Sequence, residues 1–310
     1  MIKINYVSYV DPYEFNGGGE KISRVILDYL KDNFNAEIRI SSLRPMRLNF
    51  FNNSDITIFC DIDNISAAVK KLKFIKFPLF FLKMIKGKNN IHFSNAYVDL
   101  CNKDYLPCSG DAQKVCPFDN KLCKASSKRT KFLYNEVDKN IFLSPLHKKI
   151  SEKVLAINDT NEINSFVMKP CVDTNLFYKD DTKKDIENIF IGVIGEAKGV
   201  DGIKKYIGNE DIKFVGRISD NFKLDFGEHL GFKKYDEIPS LLRRSKNFIY
   251  CPRWPEPQGR VVVEAALCGC NIKGNKKSGA ESFTFDLSDP SNYLDSVELI
   301  VAQIVENTNA

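Results

Sequence analysis

Short apolar runs alternate with helical patterns from the N-terminus, the alternation halts in a polar stretch past the midpoint, and then it begins again. A strand reaches a parallel neighbour only through a crossover, usually a helix, so this alternation predicts parallel sheets with helices on both faces. Its restart predicts two of them, an α/β chain of two doubly wound halves. Strands are expected at Lys3 to Val10, Glu37 to Ile40, Ile56 to Phe59, Ile91 to Phe93 and Ile141 to Leu143. Helices are expected at Glu20 to Leu30, Ser66 to Ile75 and Pro145 to Leu155. After the break come strand Ile189 to Val193, helix Gly199 to Ile207, strand Ile212 to Val215, helix Ile238 to Arg244, strand Phe248 to Tyr250 and helix Gly259 to Leu267. The polar Ile157 to Ser165 and the charged Lys179 to Glu187 flank Pro170 to Phe177, so one domain is assigned to residues 1–168 and the other to 169–310. At 310 residues the chain also exceeds the size at which one core stops growing.

Two carboxylates mark the second half. Trp254-Pro-Glu256-Pro-Gln258-Gly259-Arg260 is a proline-bounded loop, and Val261 to Cys268, which holds Glu264, reads as the helix behind it. Because Asn247 to Pro252 reads as the strand before that loop, both acids belong at the carboxyl edge of a sheet. Ligands of open α/β sheets bind at that edge, where helix N-termini point unpaired N–H groups at them. Taken alone, Glu256 reads as a solvated loop acid and Glu264 as a partner for Arg260 one turn earlier.

The surrounding motifs favour the first reading. Glu256-Pro-Gln-Gly-x-x-x-x-Glu264-Ala, with Gly269-Cys270 and Ser278-Gly-Ala280 behind it, resembles the signature of retaining GT-B glycosyltransferases of the family 4, or group 1, type. Asn16-Gly-Gly-Gly-Glu20 resembles the family's glycine loop, and Phe142-Leu-Ser-Pro145 with His147 the end of its first domain. Lys169 to Phe177 resembles its interdomain link, and Ile194 to Asp201 its phosphate-binding turn. The resemblance implies a GT-B fold, two Rossmann-like domains facing across a cleft, with acceptor on the first and nucleotide sugar on the second. It implies transfer from a UDP- or GDP-linked sugar to a glycan or lipid-linked acceptor, with no cofactor required. Glu256 would hold hydroxyls of the transferred sugar and Glu264 the ribose, since one carboxylate accepts two hydroxyl bonds. Lys198 would meet the departing diphosphate, with Gly17, Gly18 and Gly19 letting backbone approach it and Arg217, Gln258, Gly259 and Arg260 lining the donor.

Two positions depart from the family. Val193 stands where an arginine is usual five residues before Lys198, so Arg217 or Arg260 must supply the missing cation. Asn95 stands where a first-domain histidine is frequent; it bonds a hydroxyl but carries no proton at neutral pH. These departures leave room for a sugar-nucleotide binder without turnover, and a sugar-nucleotide epimerase shares the architecture. Of the other histidines, His92 reads as a packing residue, and His147 as packing or an acceptor contact.

Three further features fall outside this scheme. Of 9 cysteines, Cys101, Cys108, Cys116 and Cys123 share the polar segment 99–125. Their spacing lacks Cys-x2-Cys knuckles, leaving structural zinc, disulfides, an iron–sulfur cluster and free thiols all open. Residues 70–88 interleave Lys70, Lys71, Lys73, Lys76, Lys83, Lys86 and Lys88 with Phe74, Phe77, Phe80 and Phe81, which reads either as an anionic-membrane surface or as a helix packed under the first sheet. Asp61-Ile-Asp63 resembles a metal motif of the other major glycosyltransferase fold, against which the two-domain order argues. With 45 basic and 40 acidic residues, net charge gives no case for a nucleic-acid partner. Neither a signal-peptide core nor an apolar run of about 20 residues is visible, so the expected location is cytoplasmic, peripheral at most to the inner membrane face.

Overall fold

The computed structural model describes residues 1–15, 17–62, 77–101, 127–155 and 163–306. The first sheet holds β1 (Ile2–Val10), β2 (Ala36–Arg44), β3 (Met46–Arg47), β4 (Ile56–Cys60), β5 (Asn89–Phe93), β6 (Lys139–Phe142) and β7 (Ser165–Val167) in the order β3-β2-β1-β4-β5-β6-β7. Only the β2–β3 pair is antiparallel; every other pairing runs parallel. The second sheet holds β8 (Ile186–Ile191), β9 (Ile212–Val215), β10 (Glu228–His229), β11 (Ser245–Tyr250) and β12 (Asn271–Gly274), all parallel, in the order β10-β9-β8-β11-β12. Strand order reverses beside β1 in one sheet and beside β8 in the other. Chains leaving adjacent strands there turn to opposite faces and open a crevice.

The helices obey the same sequence logic. In α1 (Gly18–Phe34), Ile22, Ile26, Leu27 and Leu30 form one buried stripe, Glu20 sits in the first turn, Lys31 in the last, and Asn35 ends the helix in the left-handed region. Helix α2 (Leu79–Met84) buries Phe81 and Leu82, and α3 (Lys128–Asn135) is capped by Ser127, whose side chain accepts the Thr130 N–H. Helix α4 (Pro145–Leu155) spans the expected residues. The helix expected over Gly199 to Ile207 is instead two single 3₁₀ turns, Glu196–Lys198 and Val200–Gly202, and a short α5 (Lys204–Ile207). Gly199 at φ +69° breaks it, and a Cβ there would strike the Cys251 carbonyl. Helices α6 (Ile238–Arg243) and α7 (Arg260–Leu267) complete the second lobe.

One core fills the second lobe, and two cover the faces of the first sheet. The last helix, α8 (Ser296–Val305), returns to the first lobe, burying Ile300, Val301 and Ile304 beside Ile22 and Ile26 of α1. Asn89 clamps it with a 3.0 Å bond to the Ile304 carbonyl. Among the described residues, no helix is long and apolar enough to cross a membrane. The expected helix Ser66 to Ile75 and the thiols Cys108, Cys116 and Cys123 lie outside the described residues.

Candidate functional site

The reversal in the second sheet places the turn after β8 against the loop after β11. Lys198 ends the first 3₁₀ turn behind β8 and Glu256 lies in the loop behind β11; Lys198 Nζ donates to both Glu256 oxygens at 2.6 and 2.7 Å. Tyr250, the last residue of β11, donates its hydroxyl to the same carboxylate and accepts from Lys198 Nζ at 3.1 Å. Burial and the neighbouring carboxylate drive the Tyr250 hydroxyl well above its usual range, so it stays protonated and a donor. Glu256 is fixed by its backbone as well: its N–H reaches the Lys277 carbonyl at 2.8 Å and its carbonyl accepts the Gly279 N–H at 2.8 Å. Gly259 follows at φ +73°, where a side chain would collide with Ser278, and sets the start of α7.

Glu264 lies on α7, almost fully buried, accepting from the Tyr235 hydroxyl at 2.9 Å and from Arg260 Nε at 3.0 Å. Burial raises its carboxyl above the ordinary range, partly offset by Arg260 and Tyr235. The plain reading thus holds for Glu264, which pairs with Arg260 at the sheet edge, and fails for Glu256, whose carboxylate is not solvated but bonded by Lys198 and Tyr250.

Beside this cluster opens a cleft of about 730 Å³ lined by Gly192, Val193, Gly216 and Arg217 from the second sheet, Lys233 and Lys234 from the segment before α6, and Lys21 from α1. Arg217 shares this cleft with Val193, whereas Arg260 is tied to Glu264 and faces an adjoining cavity of about 510 Å³. Lys21 was not expected here. It crosses from the first lobe to sit 3.8 Å over the Tyr235 ring, and burial, then Arg260, hold its ammonium below the usual range. The sequence signal for Lys21 was its place one residue after Gly17 to Glu20; Tyr235 and Tyr250 gave none, since a tyrosine near a strand end reads as packing.

The first lobe contributes differently. Asn95, behind β5, donates its side chain to Ser23 Oγ at 3.3 Å and Cys60 Sγ at 3.2 Å, and its N–H to Asp61 at 3.0 Å. Its Oδ1 is buried without a partner. Asp61 holds φ +45°, and burial followed by repulsion from Asp99 and Glu20 raises its carboxyl well above the ordinary range. The glycine loop answers to this cluster in part: a Cβ on Gly19 would come within 2.9 Å of the Asn95 side chain, one on Gly17 would meet the Glu20 carboxylate, and one on Gly18 would meet nothing. Gln258 is placed in the lobe–lobe seam, donating to the Leu143 carbonyl at 3.2 Å, with Ser144 donating to Pro257 nearby.

His92 is a packing residue, bonded to Asn140 at 3.0 Å and Asp99 at 3.2 Å. His147 is buried between Tyr97 and Phe142; its Nδ1 accepts the Leu143 N–H at 3.3 Å, so Nε2 carries the proton and has no partner. Burial lowers its pKa to about 3, which keeps it neutral. Cys101 is partly exposed, and among the described residues no group of three His, Cys, Asp or Glu is arranged to hold a metal ion.

No protein-family model matches the sequence, and no curated protein matches it. Among solved structures the chain is similar to sucrose-phosphate synthase from Thermosynechococcus elongatus, at 12% identity and TM-score 0.61 over 99% of this chain and 93% of that one. It is similar to a glycosyltransferase from Rickettsia africae, at 13% identity and TM-score 0.56 over 99% and 89%. HepE of Anabaena in complex with UDP-glucose aligns at 14% identity and TM-score 0.55 over 100% of this chain and 97% of that one. Likeness at these identities carries architecture alone: the chain has the GT-B fold, two Rossmann-like lobes facing across a cleft.

Proposed function

We propose that this chain is a retaining glycosyltransferase that moves a sugar from a nucleoside diphosphate to a glycan or lipid-linked acceptor. The Lys198–Glu256 pair at the strand-order reversal carries the reading, because it sets a cation and a hydroxyl-binding carboxylate side by side at the same sheet edge as a basic cleft. Breaking a sugar–phosphate bond leaves negative charge on the diphosphate, and cations already set against it in the donor complex stabilise it. Lys198, Arg217 and Lys21 are those cations. When donor binds, the sugar hydroxyls take over Glu256, and Lys198 turns to the phosphate.

Glu264, already bonded by Tyr235 and Arg260, offers its remaining oxygen to the ribose. By family resemblance the departing phosphate oxygen takes the acceptor proton on the same face, so configuration is retained and no protein nucleophile is needed. The acceptor belongs on the Asn95 and Asp61 side, where an unpartnered amide oxygen awaits a hydroxyl. Phe80 and Met84, exposed on α2 beside Lys83, suit an acceptor held at an anionic membrane; Lys83 and Lys88 are already paired with Glu136 and Asp55.

Because HepE was solved with UDP-glucose, uridine donors come first. A thermal-shift panel of UDP-, GDP- and ADP-sugars should single out one nucleotide, by about 2.7 kcal/mol of stabilisation at a hundredfold excess over Kd. Release of UDP or GDP from the best donor should follow. The absence of any shift across the panel overturns the proposal. Binding without sugar transfer or release favours the second reading, a GT-B-fold binder, which Val193 and Asn95 support.

A further inference from the structure

On the flank of the Lys198–Glu256 pair away from the nucleotide cleft, a third cavity, of about 470 Å³, opens at the ends of β11 and β12. Its wall carries Lys204, Lys205, Arg253 and Lys277 against the single acid Asp201. Arg253 is spent on Asp201 and Glu196, and Lys204 lies 3.8 Å from Asp225 over the Phe226 ring. Lys205 and Lys277 have no carboxylate partner among the described residues. Burial, then the Lys205 charge, holds the Lys277 ammonium below its usual range.

Lys277 has no easy way out of this repulsion. Its N–H is held by Asn275 Oδ1 at 3.2 Å, and Asn275 Nδ2 is anchored on the Pro252 carbonyl at 2.8 Å. The Lys277 carbonyl in turn accepts the Glu256 N–H at 2.8 Å. An anion bridging the two ammonium groups relieves their repulsion and stiffens the loop that positions Glu256.

We infer that this cavity is a second anion site, built for a phosphate or carboxylate group of the acceptor. The ligand's identity rests on the sugar-transfer reading; the anion binding does not. Calorimetry of the full chain with inorganic phosphate, at saturating UDP, tests it. Phosphate should bind with UDP present, and the double variant Lys205→Gln, Lys277→Gln should weaken it about tenfold or more while UDP affinity stays within about twofold. Lys276→Gln, a neighbour that does not line the cavity, should change neither, and melting temperatures identify any variant that fails to fold, for which the single substitutions stand in. Loss of phosphate binding on adding UDP, or binding indifferent to both lysines, overturns the site. If UDP does not bind, the nucleotide that the thermal-shift panel selects takes its place; if none binds, the nucleotide reading falls, and the titration without nucleotide still reads the lysine dependence. UDP-glucuronate and UDP-glucose should bind alike; tighter binding of the glucuronate that the double variant abolishes would move the anion to the donor sugar and overturn the acceptor assignment.

Discussion

The two sheet edges that meet at the cleft hold their polar groups in opposite ways. On the second sheet both acids of the Glu-x7-Glu motif have a cation: Glu256 has Lys198 and Glu264 has Arg260. On the first sheet the polar atoms around Asn95 wait. Asp61 has no cation beside it among the described residues, and Asn95 Oδ1 and His147 Nε2 are buried without partners. A paired edge exchanges an internal ion pair for a charged ligand at modest cost, because desolvation of its charges is already met in the free protein. An edge of unpaired neutral groups instead suits hydroxyls, which donate and accept without bringing charge. The contrast fits a charged donor on one lobe and a neutral acceptor hydroxyl on the other.

The sharpest way to break this contrast is at Lys198 and Glu256. Alanine at either position should lower turnover by about 10²-fold or more, as loss of a preorganised charge contact does. If the two act as one unit, the double variant should fall little further than the worse single. Steady-state rates with the donor chosen by thermal shift decide this, and near-normal turnover in both singles removes the site from the second lobe.

A smaller effect is expected at Glu264. Glu264→Gln keeps the shape but gives up a charge-assisted acceptor, and Tyr235→Phe removes the hydroxyl that orients it. Each should weaken nucleotide binding about tenfold, the scale of one hydrogen bond to a charged group, with kcat at saturation changed much less. A fall confined to kcat would show that Glu264 acts on the sugar and not the ribose.

Much of this was legible in the chain. The alternation of strands and helices located most of the elements, because parallel strands buried on both faces leave unmistakable apolar runs such as Ile56 to Phe59. The loop–helix spacing of Glu256 and Glu264 put both at a carboxyl edge. What the sequence hid depends on lobes meeting in space: Lys21 reaching Tyr235, Gln258 turned into the seam, and α8 returning to α1 across the whole chain. Short edge strands such as β10 and β12 carry too few residues to show a period. The Gly199 break was visible as a residue but not as a conformation, since only the approach of the Cys251 carbonyl demands it.

The mildest test falls on the unpaired edge. Asp61 has an ordinary carboxyl value of 3.8 in the unfolded chain and a folded value well above it. Between the two, the folded protein keeps a proton that the unfolded chain has released. The stability from that proton is therefore complete below pH 3.8 and is lost as pH rises through the folded value. Above pH 3.8 the wild type therefore bears a growing cost for an enclosed carboxyl that has no cation beside it among the described residues. Asparagine is neutral throughout, still accepts the Asn95 N–H, and tolerates φ +45° better than most residues. Asp61→Asn should therefore melt higher at pH 7.5, by about 2–4 °C for each kcal/mol recovered, with the gain shrinking as pH approaches 4. Differential scanning calorimetry across that range reads it directly. A variant that melts lower at pH 7.5 would mean that Asp61 has a stabilising partner after all, and the two edges would then be alike; one that melts higher yet transfers sugar more slowly would mark Asp61 as a group kept at a cost to stability because the acceptor needs it.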